Sequence, residues 1–220
     1  MNSFVGRTSE VERLHAELRE VRGGRPRLAL VEGSSGVGKS ALIRRFLEEA
    51  SDLRVLIGTG DEGEALLPYG VIHQLVRSSH APVPAALAGI GGGDIHVRDP
   101  LAVGAGLLEL LSHLQSEGPV AIVVDDAQWA DRPSLQALLF TLRRLDADCV
   151  LTVIGARDDV PYPLREGLVR LLESGHGSQQ HLTGLDSAAI RELATAMGVE
   201  RISLTAAERI RDHTAGSPLY

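Results

Sequence analysis

Residues 33–40 read Gly33-Ser34-Ser35-Gly36-Val37-Gly38-Lys39-Ser40, a Gly-x-x-x-x-Gly-Lys-Ser octet. It stands between an apolar run, Arg27-Leu28-Ala29-Leu30-Val31, and an amphipathic stretch, Ala41 to Ala50, with Leu42, Ile43, Phe46 and Leu47 on one face. A strand that turns through glycines into a helix leaves the loop's N–H groups and the positive end of the helix free to bind an anion. Gly36 and Gly38 permit the backbone turns that such a wrap requires. Of the 22 Lys and Arg residues, Lys39 is the only lysine. A slim ammonium on a flexible stem reaches between β- and γ-phosphates, where a planar guanidinium would be too broad. The octet is therefore read as a P-loop for a nucleoside triphosphate, with Ser34, Ser35, Gly36, Val37, Gly38, Lys39, Ser40 and Ala41 around the phosphates.

Helical and extended patterns alternate along the chain. They predict an α/β P-loop NTPase fold: a parallel five-stranded sheet, flanking helices and a small C-terminal helical lid. Strands are expected at Arg27–Val31, Arg54–Gly58, Val120–Val124, Cys149–Ile154 and, on an edge, Gln180–Leu182. Ser9-Glu10-Val11-Glu12 reads as a capping box for a first helix bearing Val11, Leu14, Leu18 and Val21, ended by Gly23-Gly24. Further helices are predicted over 69–77, 101–114, 134–145 and 164–172, and the Pro- and Gly-rich stretch 81–100 reads as a mobile loop. From Asp186 onward only helices follow. Asp186 caps one, with Leu185 stapled to Ile190, and Thr205-Ala206-Ala207-Glu208 is a capping box for the next. The expected division is a nucleotide-binding domain at 1–184 and a lid at 185–220, truncated from something longer.

With aromatics at 3%, the core must be mostly aliphatic. A net charge of −7 gives no basic footprint for nucleic acid. No apolar run reaches the ~18 residues of a membrane span and no signal-peptide core is present, so a cytoplasmic location is expected. The single cysteine, Cys149, lies in an apolar run and reads as a small core side chain.

The apolar run Val120–Val124 ends in Asp125-Asp126. A magnesium-nucleotide site needs a carboxylate facing the P-loop from a neighbouring strand, and this is the Walker B arrangement. Asp125 would hold Mg²⁺ through its water shell with Ser40 as a hydroxyl ligand, and Asp126 would orient or deprotonate the attacking water. One strand later, Arg157 follows the run ending at Ile154, where it can sense a γ-phosphate. A surface salt bridge with Asp158 or Asp159 is its competing role. Trp129 reads as packing, Glu62 and Glu64 as a solvated acidic turn, and His73 receives no role because no ligand stands at metal spacing from it.

Phe4-Val5-Gly6-Arg7, the P-loop, Gly60 to Glu64 with Leu67-Pro68-Tyr69-Gly70, Val123 to Asp131, Arg157 and Gly216-Ser217-Pro218-Leu219-Tyr220 together resemble the N-terminal ATPase region of large ATP-binding LuxR-type transcriptional regulators. These belong to the STAND class of AAA+-related ATPases. The resemblance implies that Val5, Gly6 and Arg7 border the adenine and ribose. It implies too that Arg157 is the sensor arginine and that Gly216-Ser217-Pro218 lets the lid read the nucleotide, with Pro218 near the base. It implies ATP/ADP and Mg²⁺ as cofactors and downstream helical-repeat and helix-turn-helix domains in the parent protein, through which promoter DNA would be bound. Self-association in the ATP state is allowed and a membrane partner is not expected. The leading expectation is a slowly hydrolysing regulatory switch. A P-loop kinase for a small molecule is the alternative, although Arg191, Arg201, Arg209 and Arg211 form no compact lid cluster. A scaffold that binds without hydrolysis is a third, and Asp126 speaks against it.

Overall fold

The computed structural model describes residues 4–90, 99–199 and 202–218. Strands β1 (Arg27–Gly33), β2 (Arg54–Thr59), β3 (Val120–Asp125), β4 (Val150–Ala156) and β5 (Gly177–Leu182) form one sheet in the order β2-β3-β4-β1-β5. All four pairings are parallel. The predicted edge strand is therefore present, three residues longer than expected at its start. The chain leaves β1 for β2 by crossing over β4 and β3, which opens a crevice at the carboxyl ends of the strands.

Strands β3 and β4 are mostly apolar because both faces are covered, Asp125 at the end of β3 and Thr152 within β4 being the polar exceptions. Helices α1 (Thr8–Arg22) and α2 (Lys39–Glu49) supply Leu14, Leu18 and Phe46 to one core, which includes Val31, Val123 and Val153. Helices α3 (Gly70–Ser78), α4 (Pro100–Gln115), α5 (Arg132–Leu142) and α6 (Arg165–Glu173) supply Ile72, Leu107, Leu138 and Leu168 to the other, with Leu30, Ile122 and Ile154. Alternation along each strand thus sends successive side chains to opposite layers. Helices α7 (Ser187–Ala196) and α8 (Leu204–Thr214) gather a small core of their own around Leu185, Ala189, Ile190 and Ala207. Among the described residues no helix is long and apolar enough to cross a membrane.

Several local expectations need correction. The first helix begins at Thr8 with Arg7 at its N-cap and no side-chain cap, while the Ser9 hydroxyl donates to Glu10 instead. The capping box fails because the Arg7 side chain is anchored elsewhere, which fixes where the helix can start. The last helix is capped by Ser203, whose hydroxyl accepts from the N–H of Ala206, and Thr205 lies inside it. The helix expected from Ser134 opens at Arg132, because Asp131 caps it and Pro133 sits in its first turn. The expected mobile loop contains a turn of 3₁₀ helix at Ala85–Leu87, with Leu87 and Ile90 buried in the core. Leu87 fits against α4 at Gly106, where an added Cβ would lie 2.8 Å from the leucine Cγ. Residues 91–98 of that stretch lie outside the described residues.

Just before the P-loop, Glu32 is 1% exposed at the end of β1. Arg165 grips it with two donors at 2.7 and 2.8 Å, and Gln179 donates as well at 2.5 Å. Tyr162 lies within 3.4 Å, its hydroxyl pushed to a higher pKa by burial and by the carboxylate. This pair ties α6 and the β4–α6 connection to the strand that carries the P-loop. Arg165→Ala leaves the carboxylate buried without a cation, and it is expected to lower unfolding stability by about 2 kcal/mol, discounted from the fully buried case because Arg165 is partly exposed. The double change with Glu32→Gln should recover most of the loss in urea denaturation. Full stability in Arg165→Ala alone would contradict this.

Candidate functional site

The sheet register brings the chemistry to one level. Val31 of β1 pairs with Gly155 of β4, and Val124 of β3 with Ile154, so Asp125 ends β3 beside Gly155 while β1 runs into the P-loop. Gly38 ends that loop as the N-cap of α2 at φ 106°, a backbone conformation closed to most L-residues. Helix α2 thereby begins at Lys39 and aims its unpaired first-turn N–H groups into the crevice.

Lys39 is only 6% exposed, and its Nζ donates to the loop's own carbonyls, Gly33 O at 2.8 Å and Ser34 O at 2.9 Å. Burial holds its pKa below the ordinary lysine value, and the carboxylates of Asp126, Asp125 and Asp158 act in the opposite direction. A cleft of about 1130 Å³ opens over this ammonium. Ser35, Gly36, Gly38, Lys39, Ser40 and Ala41 line it from the P-loop side, Asp126 and Arg157 from the strand ends, and Val5, Gly6 and Arg7 from the N-terminal segment. Leu193, Met197 and Pro218 close it from the helical side.

Three of the sequence-predicted residues stand behind the lining. Ser34 and Val37 contribute carbonyls, to Lys39 and to Arg7 respectively. Asp125 accepts the N–H of Asp126 at 3.0 Å, and its Oδ1 would lie 2.6 Å from a Cβ at Gly155, so any larger residue at 155 would displace it. Arg7 reaches the cleft, but its guanidinium is engaged in structure: Nη2 donates to Val37 O at 2.9 Å and to Thr183 O at 2.6 Å, and Nη1 to Glu10 at 3.1 Å. Arg157 likewise faces the cleft while its Nε and Nη2 grip Asp159 at 2.9 and 2.7 Å. That pairing holds the Asp159 carboxyl below its ordinary pKa. The salt bridge weighed against a sensor role is thus present, at the mouth of the cleft.

The C-terminal segment meets the P-loop directly. The Ser217 hydroxyl donates to Gly36 O at 3.1 Å, and a Cβ at Gly38 would be 3.7 Å from the Pro218 ring. Gly6 packs so closely on α7 that an added Cβ would lie 2.4 Å from that of Ala189.

Two residues were passed over at the sequence level. Asp131 is buried; its Oδ1 accepts from Ser134 N and Tyr69 N at 2.8 Å, and its Oδ2 from Val71 N at 3.3 Å, capping the starts of α5 and α3 together. The signal for the α5 cap was legible as Asp followed two residues later by Pro. Nothing local shows the bond to α3. The other is Gln128, buried between Asp126 and the end of β4.

The donor set suits an anion with a divalent cation. Asp125 and Asp126 stand beside the very ammonium that would receive phosphates, so a polyanion entering there meets carboxylates unless a cation intervenes. Ser40 and Asp125 carry oxygens of the hard kind that Mg²⁺ prefers.

Fold and loop together define a P-loop NTPase of the AAA+ type. The sequence profile described as AAA ATPase domain matches residues 3–154, and the chain belongs to that family. No curated protein matches it. Solved structures share the fold: Cdc6p from Pyrobaculum aerophilum (TM-score 0.57, 18% identity) covers 89% of this chain with 52% of its own. The Thermotoga maritima RuvB Holliday junction branch migration motor (0.53, 19%) covers 98% with 59%. Drosophila ORC bound to DNA (0.56, 17%) covers 94% with 48%. The chain thus spans about half the length of these proteins.

Asp131→Ala removes caps from two helices and is expected to cost about 2 kcal/mol, at ~1 kcal/mol per cap. Asp131→Asn, which keeps an acceptor oxygen, should lose less than half of that in chemical denaturation. Equal losses would show that the carboxylate acts by packing alone.

Proposed function

We propose that this domain binds ATP with Mg²⁺ in the cleft at the carboxyl edge of the sheet, hydrolyses it slowly, and passes the nucleotide state to further domains through its helical lid. The observation that carries this reading is the convergence of Lys39, Asp126 and Arg157 on one cleft, with the lid's end hydrogen-bonded to the P-loop at Gly36. Lys39 and the amides of residues 35–41 hold the phosphates, and Ser40 with Asp125 holds the metal. When bound, Mg²⁺ offsets charge on the phosphate oxygens. Asp126 orients and deprotonates the attacking water, and Arg157 exchanges its Asp159 partner for the γ-phosphate. Val5, Gly6 and Arg7 border the base and ribose, with Arg7 acting mainly by holding the loop, and Pro218 closes over the nucleotide.

The proposed division is 1–184 for the nucleotide-binding part and 185–220 for the lid, supported by the separate small core around Leu185 and Ala207. The finer reading, a STAND-class regulatory ATPase of a LuxR-type transcriptional regulator, rests on Asp125-Asp126-Ala127-Gln128-Trp129 and Gly216-Ser217-Pro218. Helical-repeat and helix-turn-helix domains, promoter binding through them, self-association in the ATP state and a cytoplasmic location belong to that reading. The kinase alternative is weaker: neither Arg191, Arg209 nor Arg211 lines the cleft, and Arg211 is paired with Asp212.

Calorimetric titration with ATP and ADP, alongside phosphate release without an added acceptor, tests the proposal. Lys39→Ala is expected to weaken ATP binding roughly 10- to 100-fold, the worth of a charged hydrogen-bond donor, with little change in Tm. Asp126→Asn should bind as the parent does and turn over about 10²-fold more slowly, while Asp125→Asn should raise the Mg²⁺ concentration required. Phosphate loss that occurs only when a small-molecule acceptor is supplied would replace the ATPase reading with the kinase one.

A further inference from the structure

Gln128 lies on the short 3₁₀ turn Ala127–Trp129 that follows β3, and it is 6% exposed. Its side-chain amide is used at both ends. Nε2 donates to Asp126 Oδ1 at 2.8 Å, and Oε1 accepts the backbone N–H of Arg157 at 2.9 Å. One planar group therefore spans from the proposed base, just past β3, to the residue that follows β4 and carries the proposed γ-phosphate contact.

Asp126 sits at φ 49°, ψ 43°, a left-handed conformation that a non-glycine residue keeps only when its surroundings hold it. Its carboxylate projects from this turn toward the cleft with two equivalent oxygens and a side-chain torsion that is soft on its own. A donor fixed on Oδ1 sets the plane of the carboxylate and leaves Oδ2 to accept a proton. On the other side, fixing the amide of Arg157 sets the point from which that side chain leaves the strand, whichever of Asp159 or an anion it grips. A side chain that must donate to a carboxylate and accept from a backbone N–H in one rigid plane is met by a primary amide of this length. Glutamate keeps the acceptor and turns the donor into a second carboxylate facing Asp126. Methionine keeps the volume and loses both bonds.

We propose that Gln128 is a positioning residue for hydrolysis: it presents Asp126 to the attacking water and locks that carboxylate to the strand end bearing Arg157. The proposal rests on the reading of Asp126 as the base. The comparison is Gln128→Met and Gln128→Glu, each alone and Gln128→Met also combined with Asp126→Asn, followed by kcat and KM for ATP, ADP affinity and Tm. Gln128→Met is expected to lower kcat about 10-fold or more, in the range seen when a group that orients a reacting residue is removed, with KM for ATP and ADP affinity within about twofold of the parent. Gln128→Glu should lose at least as much, since it sets a second carboxylate against Asp126 even though it keeps the Arg157 bond. In the Asp126→Asn background Gln128→Met should cost nothing further, because its effect runs through the carboxylate.

Parental kcat in folded Gln128→Met, or in Gln128→Glu if the methionine variant does not fold, overturns the proposal. So does a loss that is undiminished in the Asp126→Asn background, which would mark a merely structural side chain. If Asp126→Asn itself turns over at the parental rate, the base assignment fails first and this role falls with it; a slow Asp126→Asn with a fast Gln128→Met removes Gln128 alone.

Discussion

The guanidinium of Arg7 donates to the carbonyl of Val37 in the P-loop and to that of Thr183 just past β5, and it pairs with Glu10 at the start of α1. Burying a guanidinium is costly unless its donors are matched, and here they are spent on backbone acceptors that would otherwise be orphaned. The N-terminal segment, the phosphate loop and the entry to the lid are thereby held to one another through a single side chain. Much else follows from that constraint. It fixes the entry of α1 and keeps Gly6 against Ala189 of α7.

The cationic side chains at the cleft have partners within the protein. Lys39 donates to carbonyls of its own loop, Arg157 to Asp159, and Ser217 to Gly36. Lys39 and Arg157 are groups that the proposed nucleotide would claim, so its binding would exchange their partners, and the desolvation cost of the buried ammonium is already met within the fold. In the proposed function such an exchange would change the angle of the C-terminal helices, because Ser217 is bonded to the P-loop at Gly36.

The centre of the sheet was legible in the sequence because β1, β3 and β4 are largely apolar runs with both faces covered, whereas the edge strand β5, Gly-Ser-Gln-Gln-His-Leu, shows only its last three residues. The P-loop and the Asp125-Asp126 pair were legible because phosphate chemistry demands those residue types at that spacing. Helix starts were less so. Arg7, Asp131 and Ser203 define them, and the first two do so through partners that lie more than one element away in sequence. The stretch 81–90 read as a loop by its prolines, yet Leu87 and Ile90 find a niche on α4 that no local pattern reveals. The place of Gln128 was invisible for the same reason: its acceptor oxygen answers the N–H of Arg157, across from one strand end to the next. Periodicity and motif report what a segment needs locally. They do not report which distant group answers a buried polar atom.

A crystal structure of the domain with Mg²⁺ and a non-hydrolysable ATP analogue tests the central claim most directly. It should find the phosphates over the start of α2, with Lys39 Nζ moved from the carbonyls of Gly33 and Ser34 onto phosphate oxygens and Arg157 released from Asp159. A nucleotide seated elsewhere, or phosphates bound over the loop while Lys39 keeps its carbonyl partners and Arg157 keeps Asp159, would contradict the account.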